Sequence, residues 1–292
     1  MLNKIIQIII CVTLVFLSAN SMASLRQYIA KVENSTWQLK DETRLQCTLS
    51  HLLPGYGEAL FSSIASKKLN MEFELDMLRL PNSYGVAAVY SVPPKWMPGQ
   101  VKRTIADMTI RKQYNGELPE KAAWTMLTEL EKGFWPTIYY QDEYNQYDKV
   151  AVGLNASNFA LPYKKFAACV ENLLPYGFQD IAYTVLTYQF NDTKLTKYSQ
   201  KRLAMIGEYL REDTNLELVL LDGYTDSFGS QSINEQISIR RAAEIKAFFS
   251  SLGVAPQRIE ITGHGERRHS SPNTNESTRA KNRRLVIRMS KP

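Results

Sequence analysis

Histidine and cysteine are scarce in this chain, three of each in 292 residues. That scarcity leaves little material for a zinc site or a Cys–His nucleophile. The one place where candidate ligands gather is His264-Gly265-Glu266-Arg267-Arg268-His269. Its His-x-Glu-x-x-His order does not set two histidines on one helical face, and the neighbouring arginines disfavour a cation. Asp222 and Asp226 are the nearest thing to a paired-carboxylate acid and base. The first falls inside an apolar run, and no glycosidase context surrounds them. Internal repeats and low-complexity stretches are also missing. Beyond the N-terminus there is no apolar run long enough to cross a bilayer. These gaps argue against an enzyme, and no cofactor is implied.

What is present begins with residues 1–23, MLNKIIQIIICVTLVFLSANSMA. Lys4 supplies a positive start, Ile5–Leu17 an apolar run, and Ser21-Met22-Ala23 a small-residue cleavage signal. The segment reads as a cleaved secretory signal, so the mature chain is expected outside the cytoplasm. Only Cys47 and Cys169 then remain, and an even pair in an oxidising compartment favours a disulfide. The net charge of +6 would suit nucleic acid. Export excludes nucleic acid as a partner and turns attention to anionic wall polymers and proteins.

Composition is that of an ordinary globular protein, 44% hydrophobic and 22% charged. The fold class expected is α+β. A β-rich N-terminal domain is placed at 24–175 and an α/β sandwich, a mixed sheet with helices packed on it, at 180–292. In the first, 45–52, 57–66 and 69–78 read as strands, and Leu69, Met71, Phe73, Leu75 and Met77 keep a period of two. Pro119–Glu131 reads as a helix with Ala123, Met126, Leu127 and Leu130 on one face and Gly133 after its end. A second helix is expected near 162–173. Past the boundary at 174–180 strands alternate with helices: strand 181–190, helix 195–213, strand 216–224, helix 234–252, strand 258–265 and strand 283–289.

The stretch 221–245, LDGYTDSFGSQSINEQISIRRAAEI, carries the chemistry. A strand ends at Gly223-Tyr224, and Thr225 and Asp226 follow at the kind of strand end where ligands meet an α/β sheet. Asn234 reads as the helix cap; Asn234, Ser238 and Arg241 then share a face, with Ile237, Ile245, Phe248, Phe249 and Leu252 on the buried side. A guanidinium grips a carboxylate by two parallel hydrogen bonds and an aspartate grips an ammonium, so the pair suits a zwitterionic amino-acid head. The bland alternatives are a turn aspartate and a solvated basic face, the latter being the reading for Arg240.

The motifs GYTD, N-x-x-I-S-x-x-R-A, GHG and NRR, in this order, resemble the OmpA-like peptidoglycan-binding family over about 180–290. Tyr224 stands where that family usually has His, and Ile237 where it has Leu. The resemblance implies binding of diaminopimelate in the peptidoglycan stem peptide. By position Asp226 takes the ammonium and Arg241 the carboxylate, Asn282 and Arg283 line the pocket, and Thr225 and Asn234 support it. A structural cap at Asn282 and a basic edge strand at Arg283-Arg284 remain the plain alternatives. The N-terminal half, CTLSHLLPGYGEALFSSIASKKLNMEFEL and WTMLTELEKGFWPTIYYQDEY, resembles the MotY family of sodium-driven polar flagellar motors. That likeness implies a non-enzymatic T-ring component. It implies as partners MotX, the flagellar basal body and the PomA–PomB stator units. Lys67, Lys68 and the Trp96 loop are candidate contacts in that half. A general OmpA-family wall anchor is the alternative, and a wall-modifying enzyme a remoter one.

Overall fold

The computed structural model describes residues 24–145, 147–189, 194–213 and 218–291. The signal segment 1–23 lies outside the described residues, as do Phe190, Leu216 and Glu217 of two expected strands. Two compact units are present. Of the described residues, one takes in those up to Lys40 with Thr48–Ser62 and Met71–Lys165; the other takes in Asp41–Cys47, Ser63–Asn70 and those from Phe166 onward.

The strands of the N-terminal half are β1 (Leu25–Ile29), β2 (Trp37–Glu42), β3 (Gln46–Leu53), β4 (Gly57–Ile64), β5 (Glu72–Met77), β6 (Gly85–Val92), β7 (Arg103–Ile110), β8 (Gly116–Leu118), β9 (Trp135–Gln141) and β10 (Lys149–Gly153). They form two five-stranded sheets, β1-β10-β9-β6-β7 and β2-β3-β4-β5-β8. Alternation is strict in β4 and β5, where Ala59, Phe61, Phe73, Leu75 and Met77 point into the core. Met71 extends that face, but Leu69 does not: it precedes β5 and stands 63% exposed. In β3 the run Cys47–His51 is buried without alternation, the pattern of a strand covered on both faces. Helix α1 (Glu120–Glu131) packs against β5, β7 and β9 and buries Ala123, Met126, Leu127 and Leu130, the face read from the sequence. Pro119 takes the cap position with extended backbone. Gly133 follows with φ 84°, the left-handed turn that stops the helix.

His51 sits in this core, stacked on Trp37 at 4.3 Å between centroids. Its Nδ1 donates to the Thr36 carbonyl at 3.0 Å, and its Nε2 accepts the Asn155 N–H at 3.4 Å, so the ring is neutral. Burial drives its pKa from 6.5 down to about 4, against the opposing Thr36 hydrogen bond. Below pH 6.5 the unfolded chain takes up a proton that the folded chain refuses until about pH 4. Stability therefore falls as pH drops through that window, by on the order of 3 kcal/mol in total. His51→Gln should flatten the fall in urea midpoint between those two pH values; an unchanged slope would exclude His51 as its source.

Helix α2 (Ala160–Glu171) carries Cys169, which is bonded to Cys47 across 122 residues, with Cα atoms 6.0 Å apart; both cysteines belong to the second unit. A helical turn, Phe178–Ile181, precedes β11 (Tyr183–Thr187), which shortens the strand expected at 181–190. Then follow α3 (Lys197–Glu212), β12 (Leu218–Gly223), α4 (Gln231–Ser251), β13 (Ile259–Gly263), α5 (Glu276–Asn282) and β14 (Arg284–Ser290). The sheet order is β11-β14-β12-β13, with β12 and β13 parallel and β14 antiparallel to both neighbours. Helix α3 packs on β11, and α4 packs on β12, β13 and β14. Between them lie Leu186, Leu203, Ile206, Leu210, Val219, Leu221, Ile245, Phe249, Leu285 and Ile287. This is the mixed sheet with packed helices expected from the alternation. Helix α5 has no strong periodic signal in the sequence. It is only seven residues long, and its start is fixed by Asn275, whose side chain accepts from the Thr278 N–H at 3.0 Å.

Candidate functional site

Helix α4 begins one turn earlier than its sequence suggests. Ser230, not Asn234, is the cap, its hydroxyl accepting from the Ile233 N–H. Asn234 is therefore inside the helix and buried, and its amide donates to Glu266 at 2.9 Å. The first half of α4 buries polar side chains, Asn234, Ser238 and Arg241; the second half buries Ala242, Ile245 and Phe249. Ile237, Phe248 and Leu252, expected on the buried side, are half-buried.

The glycines explain how a polar helix face can lie so near the strand ends. A Cβ on Gly223 would stand 2.2 Å from the Ser238 carbonyl, and one on Gly263 would stand 2.6 Å from its hydroxyl. Gly265 turns with φ 55° and donates its N–H to Ser238 Oγ at 3.0 Å. Close approach of α4 therefore requires glycine at both strand ends. Gly223→Ala should destabilise the unit by about 1–3 kcal/mol, the usual cost of overpacking. Thermal unfolding measures it; a variant as stable as the parent would show that α4 seats elsewhere.

On this platform Asp226 and Arg241 stand near each other, as the sequence implied, but their partners differ. Asp226 accepts from Arg283 Nη1 at 2.8 Å and from the Phe228 N–H at 3.2 Å. Arg283 also reaches Glu276 on α5, which in turn accepts from Arg279 at 3.1 Å. Burial works to lower the Arg283 pKa, and the bonds to Asp226 and Glu276 outweigh it and raise the value. Arg241 is 6% exposed, and its guanidinium lies 4.0 Å over the Tyr188 ring. Its Nη1 is 3.5 Å from the Tyr224 carbonyl, and its Nε is buried with no hydrogen-bond partner among the described residues. No described carboxylate forms an ion pair with it. Burial accordingly depresses its pKa. The Thr225 hydroxyl, one residue beyond the Tyr224 carbonyl, is also buried and unpartnered, while the Thr225 N–H donates to Gly265 O at 2.8 Å.

Asn282, at the end of α5, is fully buried and accepts from the N–H groups of Ser270 and Ser271 at 2.9 and 3.0 Å. It donates to Ser271 O and to Asn273 Oδ1. It fastens the 270–273 loop to the end of α5. All six residues, Thr225, Asp226, Asn234, Arg241, Asn282 and Arg283, are buried around one strand-end cluster. Arg240 is exposed. Three further members are absent from the sequence-based expectation: Glu276, which shares Arg283; Tyr188, which carries Arg241; and Glu266, which holds Asn234. Only Glu276 has a local signal, the Asn275 cap. Tyr188 comes from a strand end distant in sequence. Of the N-terminal candidates, Lys67 pairs with Asp180 at 2.5 Å, and Trp96 is 58% exposed and edge-on to Trp135.

His264 bonds Asp222 at 3.0 Å and stacks on Tyr224, whereas His269 contacts Asn273. Among the described residues no three His, Cys, Asp or Glu side chains group as a metal site.

Residues 28–175 match the MotY N-terminal domain family and residues 187–283 the OmpA family. The chain is 41% identical over 277 residues to the sodium-type flagellar protein MotY of Vibrio parahaemolyticus, covering 94% of each chain. It belongs to the MotY family. This MotY-family chain also aligns with outer membrane protein A of Bordetella avium at 33% identity over 100 residues, 34% of this chain and 51% of that protein. Among solved structures it is similar to the peptidoglycan-associated lipoprotein of Burkholderia pseudomallei, with TM-score 0.34 and 23% identity over 36% of this chain and 89% of that one.

Proposed function

We propose that this MotY-family chain is a non-enzymatic, periplasmic part of a sodium-type flagellar motor, anchored to peptidoglycan through the strand-end cluster of its C-terminal domain. The observation that carries the reading is Arg241, a buried cation with an unpartnered Nε and no ion pair among the described residues; the buried Thr225 hydroxyl, one residue beyond the Tyr224 carbonyl that Arg241 reaches, is unpartnered too. A buried charge without a counter-charge costs stability, and such a cost is characteristic of binding sites. A ligand carboxylate on Arg241 and Thr225 would supply the missing acceptor and a share of the charge. Asp226, already holding Arg283, has lone-pair capacity left for an ammonium. Those two demands together fit diaminopimelate in a stem peptide, with Asn282 and Arg283 forming the wall of the site and Asn234 bracing the start of α4.

In this reading the domain at 24–175 joins the basal body and builds the T ring with MotX, around which PomA–PomB stator units are installed. The similarity to the Vibrio MotY over nearly the whole chain supports that assignment. Sedimentation with isolated sacculi tests the wall site. The chain should pellet with sacculi, and free meso-diaminopimelate should release it. Failure to pellet would overturn the wall site; pelleting indifferent to the competitor but abolished by salt would replace the stem-peptide site with general charge attraction.

A further inference from the structure

The four-stranded sheet of the C-terminal unit carries α3 and α4 on one face. The other face holds an open cleft of about 500 Å³ along β11, β14 and β12. Its floor alternates by strand geometry. Tyr183 lies across from Arg288, Val185 from Val286, and Thr187 from Arg284. Arg284 and Arg288 thus project from the same face, with Val286 between them. Four residues of extended strand set them roughly 13 Å apart. Arg268 and Lys281 add two more cations at the rim.

The charge on this face is unbalanced. Asp222 is the acid lining the cleft, and both its oxygens are used, one by His264 at 3.0 Å and the other by Arg288 at 2.6 Å. Arg268, Lys281 and Arg284 have no ion pair among the described residues. Arg284 is the sharpest case. Its guanidinium lies 3.9 Å over the Tyr224 ring, Nη2 donates to the Arg268 carbonyl at 3.0 Å, and Nη1 is buried without a partner. Burial depresses its pKa. Beside these cations Tyr183 is 64% exposed and Val185 36% exposed, both on the edge strand of the sheet. Exposed tyrosine and arginine together are the composition of a protein interface rather than of a solvated face.

We propose that this open face docks an extended acidic segment of a protein partner, one that alternates acidic and apolar side chains along the side it presents. An extended chain repeats its side chains every second residue on one face. Acids two steps apart would meet Arg284 and Arg288, and the apolar residue between them would lie on Val185 and Val286. Lys281 and Arg268 would fix its ends. The site lies on the opposite side of the sheet from the Asp226–Arg241 cluster: Arg283 reaches Asp226 and the adjacent Arg284 covers Tyr224. The docking face is independent of the wall reading and stands if that reading fails.

The probe is a fluorescein-labelled peptide repeating Glu-Thr-Val-Thr, titrated by anisotropy with the full chain from Ser24, beside a Lys-Thr-Val-Thr control. The acidic peptide should bind and the basic one should not. Arg284→Gln and, on the exposed rim, Lys281→Glu should each weaken binding by about fivefold or more. Asp226→Ala should leave peptide binding unchanged. No binding by the parent chain, or binding by Lys281→Glu and Arg284→Gln as tight as the parent's, overturns the proposal. It is also overturned if Arg284→Gln loses sacculus sedimentation as Asp226→Ala does while no variant changes peptide binding, because the face would then belong to the wall.

Discussion

Asp226→Ala and Arg241→Met should each remove sacculus sedimentation at protein concentrations where the parent chain pellets completely. Each leaves one charge of a zwitterionic ligand buried and unmatched. Loss of one partner from a buried, hydrogen-bonded charge pair costs about 2–5 kcal/mol, or roughly 30-fold to several-thousandfold in affinity. The two variants differ in stability, and that difference separates a binding role from a scaffolding one. Arg241 forms no ion pair among the described residues and has an unpartnered Nε. Methionine keeps contact with Tyr188 and removes a desolvated cation, so Arg241→Met should unfold at the parent temperature or above it. Asp226→Ala takes one carboxylate from Arg283 and frees the Phe228 N–H, so it should lose stability. If Arg241→Met pellets with sacculi as well as the parent, Arg241 does not hold a ligand carboxylate. If it fails to pellet because it is unfolded, circular dichroism will reveal that, and Arg241 is then a structural residue.

The second large effect is on the chain before it folds. Replacing both Cys47 and Cys169 by serine should lower the unfolding free energy by about 5 kcal/mol. The bond closes a loop of 122 residues, so its removal enlarges the unfolded ensemble while the folded neighbours stay in place. The thermal midpoint should fall by roughly 10–20 °C for a chain of this size. The urea dependence should steepen, because the unlinked chain exposes more surface. A loss under about 1 kcal/mol would mean that the bond closes a loop already held by other contacts in the unfolded chain. Because the bond lies within one compact unit, the same variant should lose sedimentation at the temperature where that unit melts and bind normally below it.

Much of this molecule is legible in its sequence because the signals are local. The α1 face, the alternation in β4 and β5, and the order of strands and helices after residue 180 all arise from side-chain periods that a short window contains. Leu69 continues the period-two pattern and is still exposed, because alternation says which side a residue faces and not where the strand stops. The cap of α4 differs from expectation for a related reason. Asn234 and Ser230 are both good caps, and which one starts the helix depends on where Glu266 and Gly265 anchor it, contacts made by residues far along the chain.

The candidate site divides along the same line. Sequence order alone places Asp226 after a strand and Arg241 within the following helix, and the OmpA-like motifs point to Asn282 and Arg283 before the last strand, but neither names Glu276, Tyr188 or Glu266. Tertiary structure decided the pairing. It gave Asp226 to Arg283, put Arg241 on Tyr188, and brought Glu276 in from a short helix. It also decided that Arg283 and Arg284, adjacent in the chain, serve opposite faces of the unit. Spacing along the chain selects which residues reach a strand end, but ion pairs depend on distances of a few ångströms, and only the packing of α4 and α5 against the sheet sets those.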